Sequence, residues 1–148
     1  TLSSSSAASD VYKRQEFSYN DTELSLYQRV KGNCDFYPEF LEEAITEENG
    51  VRAFYTHGHL YQVNQTRMKL AEKAKELGCL FAFYGHIHVA KYEQIGGIHV
   101  INPGSISQSR SQIEETFAEL VYKDDENTTI LNFRNRENQV IETVKIEY

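Results

Sequence analysis

The stretch that most restricts how this chain can fold is residues 65–84. Gln65 to Leu77 places Met68, Ala71, Ala74 and Leu77 at helical spacing with Lys and Glu on the opposite face, and Gly78 stands where a helix would stop. Cys79 to Tyr84 follows as a continuous apolar run, which suits a strand buried on both faces. A helix leading straight into such a strand requires a sheet with cover on each side. Upstream, Glu43 to Thr46 and Val51 to Thr56 flank Glu47-Glu48-Asn49-Gly50, a hairpin signal because Asn and Gly tolerate positive φ. Downstream, Gly96-Gly97 turns the chain between Lys91 to Ile95 and Ile98 to Ile101. Three further strands are expected at Thr116 to Tyr122, Thr128 to Arg134 and Val140 to Tyr148. A strand, helix, strand passage followed by antiparallel hairpins predicts an α/β (α+β) fold of sheets covered by few helices.

At 148 residues the chain has room for one hydrophobic core. Fifteen Lys and Arg against twenty-two Asp and Glu give a net charge of −7, which argues against a surface built to hold nucleic acid or anionic lipid. The longest apolar stretch, Cys79 to Tyr84, is far below the ~20 residues that span a bilayer, so no membrane partner is expected. Cys34 and Cys79 form no disulfide framework and lack the paired spacing of a structural zinc site, which points to a reducing cytoplasm. Residues 1–15 are rich in Ser and Ala without apolar periodicity and read as a non-native or disordered leader, leaving 16–148 as the domain.

The chemistry starts with the histidines. Four of the five form His57-Gly58-His59 and His86-Ile87-His88, each at the end of an expected strand. In extended backbone, residues i and i+2 share a face, so each pair can direct two imidazoles into one small volume. His99, inside an alternating run, reads as a strand surface residue. Oxygen donors are available upstream in Asn20-Asp21 and Gly32-Asn33-Cys34-Asp35; beside imidazoles they suit manganese, iron, zinc or nickel rather than calcium. Each of these segments alone is an ordinary turn signature.

Taken in order, Asn20-Asp21, Gly32 to Asp35, Thr56 to His59, Gly85 to His88 and Asn102-Pro103-Gly104-Ser105 resemble the calcineurin-like metallophosphoesterases, and within them the small phosphodiesterases of bacteria and archaea. The resemblance covers residues 17–122. It implies a four-layer αββα sandwich of two mixed sheets, here lacking its first strand-helix-strand. It also implies two divalent ions, manganese foremost, with nickel, magnesium, iron or zinc as alternatives. Asp21 matches the bridging carboxylate; Asn33, His57 and His86 match the other ligands of one ion, and His88 a ligand of the second. Asn33 and His59 are the catalytic candidates, His59 either behind the metal ligands or near the phosphate. The implied reaction is hydrolysis of a small phosphodiester, or another phosphate ester, by a metal-bound hydroxide.

Three departures qualify this reading. No Asp-x-His motif precedes Asp21, Asn20 stands where the family has Gly, and Cys34 replaces a His that assists the leaving group. A thiol is the poorer donor, so activated diesters should be preferred. Loss of the opening strands would expose sheet edges, making a marginally stable chain or a homo-oligomer the expectation. The alternative function is a catalytically inactive scaffold of the same fold, as a retromer subunit is. The His-x-His-x-Asp-His motif of a zinc β-lactamase is absent.

Overall fold

The computed structural model describes residues 2–4, 43–48, 50–87, 89–104, 115–123 and 127–148. Within them the chain forms β1 (Leu2–Ser4), β2 (Glu43–Glu48), β3 (Val51–Thr56), a 3-10 turn (His59–Tyr61) and α1 (Met68–Glu76), then β4 (Phe81–Phe83), β5 (Ala90–Ile95), β6 (Ile98–Pro103), β7 (Thr116–Lys123), β8 (Thr128–Asn135) and β9 (Val140–Glu147).

The hairpin signal at 47–50 holds with a tighter turn than expected. β2 continues to Glu48, which faces Val51, and Gly50 takes φ +77°. β3 then pairs in parallel with β4, and β4 in parallel with β6. Antiparallel neighbours at both edges complete a mixed sheet in the order β2-β3-β4-β6-β5. β4 therefore lies at the centre, and Phe81, Ala82 and Phe83 are all buried, as its unbroken apolar run requires. The second sheet, β1-β7-β8-β9, is antiparallel between all its described strands. Leu2–Ser4 lies within the stretch expected to carry no structure, yet it pairs with Ala118 to Leu120 along the edge of β7.

α1 is shorter than its periodicity suggests and begins at Met68 rather than Gln65. The helix thus starts three residues inside the expected span, where the Thr66 hydroxyl accepts the Met68 N–H at 3.3 Å. Its buried face is Leu70, Ala71 and Ala74, while Met68, expected on that face, is 57% exposed. Gly78 ends the helix as expected, with φ +72°.

Alternation along the central strands divides the apolar residues between two cores. Val51, Ala53, Phe81, Phe83 and Ile101 point toward the second sheet and meet Ala118, Leu120, Leu131, Phe133 and Ile146. Phe54, Ala82, Tyr84 and Val100 point the other way, under Leu70, Ala71 and Ala74 of α1. The layers are thus helix, mixed sheet and antiparallel sheet; the second helical layer of the expected sandwich has no counterpart among the described residues.

Two assignments of individual side chains bear on stability. Cys79 is buried in the helix-side core, and burial pushes its thiol pKa up, in keeping with a small apolar role. His99, by contrast, is not a surface residue. It is 3% exposed, beside Phe81 and bonded through Nδ1 to the Tyr92 hydroxyl at 2.8 Å. Alternation placed its side chain correctly with respect to its neighbours, but the face it shares with Ile101 is covered by the second sheet rather than by water.

Candidate functional site

Three parallel strands, β3, β4 and β6, end on the same side of the mixed sheet, and the motif residues lie just beyond them. Hydrogen bonds continue the pairing past the regular strands. The Tyr84 N–H donates to the Ile101 carbonyl at 3.1 Å, and the Gly85 N–H donates to the His57 carbonyl at 2.9 Å. This brings the loop after β3, which carries His57 and His59, against the loop after β4, which carries His86.

Their imidazoles meet there. The rings of His57 and His86 have centroids 5.0 Å apart, and those of His57 and His59 5.1 Å apart. These three histidines come together, but not by the route expected from the sequence. Extended backbone was expected to align each His-x-His pair. Instead Gly58 takes φ +106°, and His86 itself takes φ +65°. A side chain at position 58 would put its Cβ 2.8 Å from Val63 Cγ2, so only glycine lets the His57 loop close over the helix-side core. At His86 the Ile87 N–H donates to the Gly85 carbonyl at 2.7 Å, closing a three-residue turn across a non-glycine residue. Backbone in such sparsely populated regions costs on the order of 1–3 kcal/mol and persists only where the surroundings hold it.

His57 Nδ1 and His59 Nδ1 are 3.1 Å apart. One ring must donate the proton, and in its neutral tautomer that ring carries its lone pair on Nε2. The contact therefore makes one of the two imidazoles a nitrogen donor of fixed orientation, which is the chemistry a divalent transition metal requires. His57 is buried, whereas His59 and His86 are half-buried. Among the described residues no group of three or more His, Cys, Asp or Glu is arranged to hold an ion. The other donors expected from the sequence, Asp21, Asn33 and His88, lie outside the described residues, as does Cys34.

The Asn102-Pro103-Gly104 turn borders this cluster. Gly104 takes φ +80°, as the Pro-Gly order suggested, and its N–H donates to Asn102 Oδ1 at 2.9 Å. Asn102 is fully buried, and its Nδ2 donates to the Gly85 carbonyl at 3.0 Å. Thr116, at the start of β7, donates from Oγ1 to the Pro103 carbonyl at 2.8 Å. No motif pointed to Thr116, because its partner comes from the opposite sheet.

A second set of polar groups flanks the site on the helix side. Arg67, just before α1, donates from Nε and from its terminal nitrogen to both carboxylate oxygens of Glu93 on β5, at 2.7 and 3.0 Å. The guanidinium holds the Glu93 carboxyl below its usual range, and Glu93 in turn raises Arg67. Tyr84 lies buried nearby, its phenol pushed up to about 12 mainly by burial. This pair too could not be read from sequence, since its members are 26 positions apart and belong to no motif.

Comparison with known proteins places the chain in a family. Residues 7–125 match the family described as the calcineurin-like phosphoesterase superfamily domain. A probable metallophosphoesterase of Bacillus subtilis is 38% identical over 102 residues, covering 69% of this chain and 60% of that protein. Two further curated relatives are matched over 52% and 47% of their lengths, so the chain spans about half to three-fifths of the curated relatives it matches. Among solved structures, a predicted phosphoesterase from Streptococcus pneumoniae is similar with TM-score 0.79 and 32% identity, over 87% of this chain and 75% of that one. Vps29 of Entamoeba histolytica, in complex with Zn2+, shares the fold with TM-score 0.60 and 23% identity, over 79% and 66%.

Proposed function

Because the chain belongs to the calcineurin-like phosphoesterase superfamily, we propose that its function is metal-dependent hydrolysis of a phosphate ester, a small phosphodiester foremost, with two divalent ions, manganese first among them. The observation that carries this reading is the meeting of His57, His59 and His86 beyond the ends of β3 and β4. When bound, such ions polarise the phosphoryl oxygens and make a coordinated water acidic enough to act near neutral pH.

The chain's own residues have separable tasks in this reading. His57 and His86 offer ring nitrogens from two loops held together by the Gly85 N–H. Asp21, Asn33 and His88 complete the ligand set, with Asn33 also contacting the phosphate. His59 fixes the tautomer of His57 through the Nδ1 contact and stands at the rim, where it is half-buried and can donate to a phosphoryl oxygen. Cys34, where the family has His, is a weak proton donor, so aryl esters whose leaving groups need no protonation are the favoured substrates.

The test is hydrolysis of bis(4-nitrophenyl) phosphate with and without manganese, by the wild type and by His57→Ala. Turnover should require the metal. In the variant it should fall by more than about 100-fold, the upper end of what losing even a ligand's supporting partner costs. Turnover untouched by chelator or by the substitution would refute the proposal. Manganese binding without turnover of any aryl ester would favour the alternative, a binding module of the same fold.

A further inference from the structure

We infer that Asn102 is a positioning residue that sets the His86 imidazole by pinning the turn beneath it, an inference that rests on the metal-site reading above. His86 has φ +65° in a turn closed by the Ile87 N–H on the Gly85 carbonyl. A residue with a Cβ leaves this region readily unless both flanking peptides are fixed. The residue before it, Gly85, is held at both of its own backbone polar groups. The Gly85 N–H is held by the His57 carbonyl, and the Gly85 carbonyl accepts a second hydrogen bond, from Asn102 Nδ2.

Asn102 suits this task and little else. It is 0% exposed, which removes it from direct contact with substrate. Its carboxamide is used at both ends, donating to Gly85 and accepting from the Gly104 N–H. Only an amide offers a donor and an acceptor in that geometry; a carboxylate would set an oxygen against the Gly85 carbonyl, and an alkyl side chain would remove that carbonyl's second hydrogen bond and the Asn102 acceptor of the Gly104 N–H. The anchor is itself fixed, since β6 pairs with β4 and β5, and Thr116 holds the Pro103 carbonyl from the other sheet. A connected set of hydrogen bonds and peptide links thus runs from β7 through Pro103 and Asn102 to Gly85, and from Gly85 to His57 on one side and His86 on the other. The spacing of the two imidazoles depends on it.

The test compares wild type, Asn102→Asp and Thr116→Val by NMR and by manganese calorimetry. In the wild type the Asn102 carboxamide protons should exchange slowly with solvent and show a nuclear Overhauser contact to the Ile87 amide. Fast-exchanging, averaged carboxamide signals would overturn the inference with no variant needed. In folded Asn102→Asp, Ile87 amide exchange should accelerate at least about 10-fold and manganese affinity fall about 10- to 100-fold, the range for groups that support metal ligands. Thr116→Val, which leaves the carboxamide in place, should change Ile87 exchange by far less. A folded Asn102→Asp with wild-type Ile87 exchange would refute the inference. Wild-type protein that binds no manganese would refute the metal-site reading instead, while the Ile87 measurement would still decide the role of Asn102.

Discussion

Gly104→Ala is the substitution whose cost can be worked most directly from the structure. A Cβ at Gly104 would lie 1.9 Å from Thr116 Oγ1 and 3.3 Å from both Thr116 Cβ and Ala90 Cβ. The first distance cannot be tolerated, so the Thr116 hydroxyl must rotate away. Thr116 is 1% exposed and β-branched, so few alternatives are open to it, and rotation ends its hydrogen bond to the Pro103 carbonyl. Leaving those groups buried and unbonded costs about 1–3 kcal/mol. Holding alanine at φ +80° adds about 1–2 kcal/mol, because Cβ crowds the following carbonyl. The sum is about 2–5 kcal/mol, measured as the loss of unfolding free energy in a urea titration followed by circular dichroism. The same titration on Thr116→Ala and on the double variant tests the mechanism. With Oγ1 absent, alanine at 104 should cost only the backbone share, so the two substitutions should fall short of additivity by about 1–3 kcal/mol. Strict additivity, or a single-variant loss below about 1 kcal/mol, would refute the collision argument.

Two further predictions concern pH. Burial holds the His99 pKa below its ordinary value of 6.5; the unfolded chain therefore binds this proton first, and the neutral ring's stabilisation is complete above that pH and lost below it. His99→Gln should flatten the fall in stability between pH 7 and 5, where a single such group contributes at most about 1.4 kcal/mol per pH unit; an unchanged slope would contradict the assignment. Glu93, held below its usual range by Arg67, contributes with the same sign at lower pH: its stabilisation is present above the ordinary carboxylate pKa and lost as pH falls through the lowered one. Glu93→Gln should cost about 1 kcal/mol at pH 7 and low salt, and the deficit should shrink in acid and in high salt; a deficit independent of both would mean packing, not charge, holds the pair.

How much of this was legible in the sequence differs by feature. Strand positions in the mixed sheet were readable because β4 is apolar throughout and Asn49-Gly50 admits only a tight turn. The helix start was not, because the residue at the cap, Arg67, is not of a type that marks a helix start and makes no side-chain cap bond. His57, His59 and His86 were identified by spacing, but the left-handed Gly58 and His86 that actually join their rings leave no periodic trace. His99 was misplaced because alternation assigns a residue to a face without saying what covers that face. The anchoring residues Thr116, Arg67 and Glu93 pair across long separations, where one sequence carries no signal.

The C-terminal part of the antiparallel sheet differs from the mixed sheet in how close its partners lie along the chain. β7 pairs with β8 and β8 with β9, and the turn between β8 and β9 is tied by Asn135, whose Oδ1 accepts from the N–H groups of Glu137 and Gln139. Such a meander closes only short loops, whereas β3 meets β4 across the intervening α1, and β4 meets β6 across the intervening β5. The meander is therefore expected to form before the mixed sheet, and pulsed hydrogen exchange during refolding should protect the Leu131 and Phe133 amides before those of Phe81 and Phe83, with the histidine loops following.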